Sequence, residues 1–198
     1  MRSFWKEPFL WIHLVGLAAL PLTLELVWLG LAAGYPLLPV WLELLLVATI
    51  GIVPVLWMQL THPFDIFSLL IVALKPEQLS QEQQKLLSLF KTQTNKFLTI
   101  AGTVLMLWIL WQIYRVAPIA VAVASLIPGG HIVGLLGAGL AFLASNLFLQ
   151  VPLSVVQVML TSESEWQATL AYPVAKIHQD FTVPGIKVNK ILPWGKGG

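Results

Sequence analysis

The sequence predicts an all-α protein, a polytopic transmembrane helical bundle of about four spans with both termini on the cytoplasmic side. Three observations favour this fold: an apolar composition, four long apolar windows, and lysines and arginines confined to one side of those windows. Of the 198 residues, 58% are hydrophobic and 10% are charged, and the mean hydropathy is +0.83. Soluble domains carry about 25% charged residues, so we expect lipid to surround much of this chain.

Four windows contain the roughly 20 apolar residues that an α-helix needs to cross a bilayer. They are residues 9–33, 37–60, 97–117 and 132–160. The first window is longer than the ~7–15-residue apolar core of a cleaved signal peptide, so we expect it to remain as a span. Together the windows place residues 1–160 in a transmembrane bundle.

Two different segments lie between the second and third windows. Residues 64–74 are apolar but too short to cross, which indicates an interfacial or protein-buried segment. Residues 79–96 are predicted to form a cytoplasmic amphipathic helix that leads into the third span, because Ser80 and Gln83 have the spacing of a helix capping box. One side of this helix carries apolar residues, namely Leu79, Leu86, Leu87 and Phe90.

The segments around the fourth window are less regular. Residues 119–127 are apolar but span only half a bilayer, so they form either a re-entrant half-helix or the start of a kinked, longer crossing. An independent crossing there would move the C-terminus to the other side. Residues 161–198 show no sustained hydrophobic period, and we expect a cytoplasmic tail.

The orientation follows from the distribution of positive charge. Lysines and arginines in short loops mark the cytoplasmic side. With four spans, ten of the eleven fall on one side, and only Arg115 falls near the other. The ten are Arg2, Lys6, Lys75, Lys85, Lys91, Lys96, Lys176, Lys187, Lys190 and Lys196. This segregation predicts that both the N-terminus and the C-terminus are cytoplasmic.

Three acidic or basic side chains that are charged at neutral pH, those of Glu25, Glu43 and Arg115, lie inside the predicted spans. A charge in a membrane interior is costly, so such residues are candidates for a functional site. At about 1.5 Å per residue, Glu25 lies about 24 Å into the first span and Arg115 about 27 Å into the third. Glu43 lies about 9 Å from the outer end of the second span. Their similar depths predict a polar cluster of Glu25, Glu43 and Arg115 near the outer face.

This cluster has three interpretations. The first is a buried ion pair that sets helix register. The second is an interaction site for a partner subunit or polar cofactor, and the third is part of a proton or cation pathway. His13 and His62 have no second ligand at metal-binding spacing, so we expect no metal site. His131, in the predicted outer loop, carries no specific signal.

The fourth window carries a predicted helix-packing face. Small residues at four-residue intervals let helix backbones approach closely. Two such series occur here, Gly130, Gly134 and Ala138, and Gly137, Ala141 and Ser145. The pattern indicates either packing within the bundle or docking on another protein, and Asn146 and Gln150 could add interhelical hydrogen bonds.

Three segments resemble a known family. They are residues 1–14 (MRSFWKEPFLWIHL), 37–44 (LLPVWLEL) and 73–79 (ALKPEQL). Together they resemble a family of cyanobacterial low-complexity-tail membrane proteins, over about the first 120 residues. The resemblance implies a multipass protein of a photosynthetic bacterium, in the thylakoid or plasma membrane, and implies no particular activity.

The sequence carries no catalytic signature. The absence of cysteine excludes disulfides, thiolate metal sites and cysteine nucleophiles, and no phosphate-binding loop or nucleophile elbow is present. We expect a non-enzymatic accessory, assembly or scaffolding component with no cofactor and no nucleic-acid partner. Its expected partners are the lipid bilayer and a larger membrane protein complex. The alternative is a small transporter or channel that uses Glu25 and Glu43.

Overall fold

A computed structural model of the chain describes residues 3–69, 71–126 and 128–191. The α-helices are α1 (Pro8–Val15), α2 (Leu20–Ala32), α3 (Val40–Thr61), α4 (Gln81–Phe90), α5 (Gln93–Val116), α6 (Val121–Ala124), α7 (Gly130–Leu160), α8 (Glu163–Ala168) and α9 (Val174–Asp180). The strands are β1 (Ser68–Leu69), β2 (Val72–Leu74) and β3 (Ile186–Val188). Short 3-10 helices occupy Ser3–Lys6, Gly16–Ala19, Pro76–Gln78 and Ala117–Ala120. Two of the predicted cytoplasmic cations, Arg2 and Lys196, lie outside the described residues.

The predicted bundle of four spans is confirmed. Within the described residues, four helical stretches are long and apolar enough to cross a membrane: Pro8–Ala32, Val40–Thr61, Gln93–Ala124 and Gly130–Leu160. The third stretch continues beyond Pro118 through a 3-10 turn into α6. Residues 119–124 therefore extend the third helix with a kink, whereas the sequence suggested a re-entrant half-helix or the start of a longer crossing.

The chain divides into two compact units. Unit 1 comprises residues 1–15, 58–98 and 151–198, and unit 2 comprises residues 16–57 and 99–150. Unit 1 therefore holds the beginnings of the first and third spans together with the ends of the second and fourth. This arrangement is the one that four alternating crossings require.

Unit 1 is built around a hydrophobic core to which all three of its segments contribute. Phe4 and Leu10 come from the first segment, Phe67 and Leu87 from the second, and Ile177 from the third. Each is at most 3% exposed. Burying a side chain of this size contributes about 1.5–3 kcal/mol, so the segments that flank the spans form a folded unit of their own.

A small sheet joins two distant parts of unit 1. Strands β1 and β2 form an antiparallel hairpin, and β3 pairs in parallel with β2, with Ala73 opposite Lys187. The protein-buried segment expected over residues 64–74 therefore contains the hairpin, and Ile66 and Phe67 are fully buried. The predicted tail, residues 161–198, contains α8, α9 and β3 among its described residues.

The amphipathic helix has the predicted cap but is shorter than expected. Gln83 N–H donates to the Ser80 hydroxyl, and Ser80 N–H donates to the Gln83 side chain, so the capping box is complete. The helix ends at Phe90, because the Asn95 side-chain amide donates to the Phe90 carbonyl at 2.8 Å. Helices α4 and α5 are thus separate, which corrects the expected range of 79–96. Leu86 and Leu87 are buried in the core of unit 1.

In unit 2, small residues allow α2 and α7 to cross closely. A Cβ atom built on Gly30 would lie 2.5 Å from the Gly134 carbonyl oxygen, and one on Gly134 would lie 2.6 Å from the Gly30 carbonyl oxygen. Ala138 is fully buried beside Gly30. The predicted packing face thus meets a glycine of the first span that sequence reasoning did not identify.

Only some residues of the predicted packing face are buried. Ala141 and Ser145 are buried, whereas Gly130 and Gly137 are exposed, with no atom within 4 Å of an added Cβ. The two exposed glycines come one from each small-residue series, so belonging to a series does not decide whether a residue is buried. Gly139, outside both series, packs against Ile50.

Candidate functional site

A buried carboxylate and a buried imidazole meet in unit 2. Glu43 lies in the first turn of α3, where its side chain is turned back toward the preceding loop. Its Oε1 accepts hydrogen bonds from the backbone N–H groups of Leu37 and Leu38 at 3.0 and 3.1 Å. His131, the second residue of α7, brings Nε2 to within 2.8 Å of the same oxygen. Glu43 and His131 are 4% and 7% exposed.

The hydrogen bonds of His131 limit where its protons can be. Its Nδ1 lies 2.7 Å from the carbonyl oxygen of Ala33, at the end of α2. A carbonyl oxygen only accepts, so Nδ1 carries a hydrogen. The contact between Nε2 and Glu43 then holds one more proton, either as imidazolium with carboxylate or as neutral imidazole with protonated carboxyl. In both forms the pair carries no net charge, which lowers the cost of its burial.

A glycine makes the approach of these segments possible. Gly34 has a φ of +72°, a left-handed conformation that residues with a Cβ rarely adopt. A Cβ atom at Gly34 would lie 2.9 Å from the backbone nitrogen of His131. The turn that follows the first span at Gly34 therefore also leaves room for α7.

The expected cluster of three charges is corrected by the structure. Arg115 is exposed, and its guanidinium donates to the side-chain oxygen of Gln112 at 3.1 Å. Glu25 is exposed on α2. The depth argument compared positions along the helices, but it did not compare the faces on which the side chains lie. Of the three residues only Glu43 is buried, and its partner is His131.

A second buried polar group links α5 and α7 within unit 2. The Gln150 side-chain amide donates to the Thr103 hydroxyl at 3.0 Å and to the Thr99 carbonyl at 3.3 Å. Gln150 is 1% exposed. Asn146 instead donates to Phe142 within its own helix. Of the two residues expected to form interhelical hydrogen bonds, Gln150 therefore does so.

Ser145 supplies a further link between helices. Its hydroxyl lies 2.9 Å both from the hydroxyl of Thr23 on α2 and from the carbonyl of Ala141 on α7. Thr23 in turn donates to carbonyl oxygens of the preceding turn. These polar contacts hold the bundle together, because a hydrogen bond in the apolar interior has few competing partners.

Two further histidines are held by their own chain. His13 lies 2.9 Å from the Phe9 carbonyl and 3.1 Å from the Ser68 carbonyl, and His62 contacts the Thr61 hydroxyl. Among the described residues, no group of three or more His, Cys, Asp or Glu side chains could hold a metal ion.

Comparison with known proteins identifies the family. Residues 6–193 match the family described as low-complexity tail membrane protein-like. No curated protein and no solved structure is significantly similar to the chain. The match extends beyond the first 120 residues, through the described part of the C-terminal segment. The chain therefore belongs to the low-complexity tail membrane protein-like family, and it is an integral membrane protein with four apolar helices.

Proposed function

We propose that the protein is a non-enzymatic accessory, assembly or scaffolding component of a larger membrane complex. The observation that carries this proposal is the position of Glu25. Its carboxylate lies on an exposed face of α2, inside the first apolar stretch. A charge that faces lipid is costly, roughly 2.5–3.5 kcal/mol at the centre of a spanning helix on an insertion scale, and Glu25, between that centre and the Ala32 end of the stretch, bears part of this cost. A partner that supplies a hydrogen-bond donor or a cation would remove this cost.

The surroundings of Glu25 have the character of a helix-docking face. Ala18, Leu22 and Leu26 lie on the same side of the helix at spacings of three and four residues. Leu22 is 65% exposed and Leu26 is 57% exposed. The first apolar stretch is also the least buried of the four, with 11% of its most apolar window buried against 28%, 28% and 50% for the others. A partner helix on this face would cover both the leucines and the carboxylate.

The polar groups inside unit 2 support a structural role. Glu43, His131 and Gln150 are engaged by groups of their own chain. Such contacts fix helix positions and need no substrate or cofactor. A non-enzymatic protein is therefore the simplest interpretation.

The alternative is a small transporter or channel that uses Glu25 and Glu43. A pathway requires ionisable groups that face a common cavity. Glu25 is exposed and Glu43 is closed off by His131, so the two carboxylates favour the accessory role. Substrate-dependent flux in proteoliposomes of the purified protein would favour the transporter instead.

The test is co-purification from native membranes in mild detergent, with native electrophoresis and mass spectrometry. We expect the wild-type chain to migrate in an assembly much larger than its own 21.9 kDa plus detergent. Glu25→Leu and Leu22→Ala should reduce the assembled fraction. Leu140→Ala is the matched control, because Leu140 is 63% exposed on α7, outside the proposed face.

Two outcomes would contradict the proposal. One is a wild-type chain that migrates alone from its native membrane. The other is a Glu25→Leu variant that enters the assembly as fully as the wild type. Misfolding is separated from lost docking by the detergent melting temperature, which Glu25→Leu should leave unchanged or raise, since it removes a lipid-facing charge.

A further inference from the structure

Unit 2 contains a groove of about 560 Å³ near the outer ends of its helices. One wall is the turn between the first two spans, including Tyr35 and Pro36. The other is the end of the third span, including Tyr114, Arg115 and Val121. Most of the lining is apolar, and the described lining residues include one cation and no carboxylate.

The charge of Arg115 is not neutralised by a carboxylate. Among the described residues, the ion pairs join Lys91 with Asp180 and His131 with Glu43. Arg115 donates only to the neutral amide oxygen of Gln112. A guanidinium presents five N–H donors in a planar fork that matches the oxygens of a phosphate. Most of these donors remain available on the groove side of the helix end.

The position of the groove matches the depth of lipid headgroups. The apolar part of the third span begins at Phe97, so Arg115 lies about 27 Å along it, close to the limit of a hydrocarbon core about 30 Å thick. Tyr35, 89% exposed, and Tyr114 flank the groove, and tyrosines are enriched at this interface. A lipid phosphate at this level would lie beside Arg115, and the rest of its headgroup would extend toward Pro118 and Val121, which follow Arg115 in the same span.

We propose that this groove binds the headgroup of an anionic phospholipid, with its phosphate on Arg115 and the remaining headgroup atoms beside Val121. The single uncompensated cation favours a lipid with net negative charge over a zwitterionic lipid with the same acyl chains. This site is independent of the docking face around Glu25, which lies on the exposed side of α2.

The contribution of the Arg115 charge to lipid binding is tested by adding lipid to the purified full-length protein and measuring the bound lipid by native mass spectrometry. Phosphatidylglycerol should bind more tightly than phosphatidylcholine of identical acyl chains. Arg115→Gln should weaken phosphatidylglycerol binding by roughly threefold to fivefold, the size of a partly exposed charge contact, and Arg115→Lys should restore part of the loss. Lys190→Gln, which removes an exposed cation outside the groove, should change nothing.

The groove itself is tested by a matched pair of tryptophan variants. Val121→Trp fills the groove, because Val121 lines it and is 48% exposed. Val123→Trp adds the same side chain to the same short helix at a residue that is 59% exposed and does not line the groove. Only Val121→Trp should weaken phosphatidylglycerol binding, even if Arg115→Gln fails to fold.

Three results would overturn the proposal. They are equal binding of the two lipids, unchanged binding by a folded Arg115→Gln variant, and equal effects of the two tryptophan variants. The proposal would also be wrong if the purified chain binds neither lipid and a co-purified protein covers the groove. The occupant of the groove would then be that protein.

Discussion

The imidazole of His131 lies 2.8 Å from the Glu43 carboxylate, although the two residues are 88 positions apart in the chain. The same ring reaches the Ala33 carbonyl, and the same carboxylate accepts from Leu37 and Leu38. The pair therefore joins the end of α2, the start of α3 and the start of α7. It satisfies the carbonyl at the end of α2 and two backbone N–H groups of the loop before α3.

Removing both partners of this pair should be less harmful than the sum of the two single removals. Either Glu43→Ala or His131→Ala leaves a buried polar group without its partner, which costs about 3–5 kcal/mol in soluble proteins and less in membrane proteins. We expect the double variant to recover about 1–2 kcal/mol relative to the sum of the single changes. The measurement is a double-mutant cycle of the free energy of unfolding in detergent.

The control cycle combines Glu43→Ala with Arg115→Ala. Because Arg115 is exposed and bonded to Gln112, the two changes should be additive. Additivity in the cycle of Glu43 with His131 would show that their contact contributes no coupling energy. Coupling energy between Glu43 and Arg115 would mean that these two residues interact, as the sequence predicts.

Two glycines of α7 should respond with opposite sign to the same substitution. In Gly134→Ala the new Cβ would lie 2.5 Å from the Ala33 Cβ and 2.6 Å from the Gly30 carbonyl oxygen, so the helices must separate. We expect a loss of about 1–3 kcal/mol. In Gly137→Ala the new methyl meets no atom within 4 Å, and helix propensity should add about 0.5–1 kcal/mol.

Melting temperatures of the two alanine variants in one detergent measure this difference. Equal shifts would show that α2 and α7 do not cross closely at Gly30 and Gly134. The small-residue series alone could not separate the two glycines, because both belong to four-residue repeats of the same helix.

The spans were predictable because each depends on local composition. A run of about 20 apolar residues has few alternatives to a transmembrane helix. The capping box was predictable for the same reason, since Ser80 and Gln83 are three residues apart. The sheet was not, because strands of two or three residues carry too little hydrophobic alternation to detect. The pairing of Ala73 with Lys187 also depends on the folding of unit 1 as a whole.

The site was predictable in part. Glu43 was identified because a carboxylate within a span requires a partner. That partner was missed, because the depth of a residue says nothing about the face of the helix on which it lies. One signal could have pointed to His131. The Pro128-Gly129-Gly130 break places it at the start of the fourth span, at the same end of the bundle as Glu43.

The orientation in the membrane remains a prediction from the positive charges. We expect Glu82→Cys and Lys187→Cys to react with an impermeant maleimide only after the cells are permeabilised, and Tyr35→Cys to react from outside. All three side chains are exposed, and the chain has no other cysteine. External labelling of Glu82→Cys or Lys187→Cys would refute the cytoplasmic assignment of that segment.

Asp65 is a buried acid outside the spans, in the segment before β1. Its side chain is fully buried, and one carboxyl oxygen accepts from the Phe67 N–H at 2.9 Å. The other oxygen is buried with no hydrogen-bond partner in the described part of the chain. Burial raises the pKa of Asp65 from 3.8 to about 6, although the hydrogen bond from Phe67 opposes the shift.

This shift predicts that the free energy of unfolding falls as the pH rises from about 4 to about 6. In that range the folded protein keeps the proton on Asp65 and the unfolded chain has lost it, so raising the pH favours unfolding. A shift of about two pKa units corresponds to about 3 kcal/mol.

Asp65→Asn keeps the acceptor for Phe67 and cannot ionise. The difference in unfolding free energy between this variant and the wild type cancels the titration of other groups, and it should grow in favour of the variant from pH 4 to pH 7. A difference that stays constant with pH would mean that Asp65 titrates alike in the folded and unfolded chain.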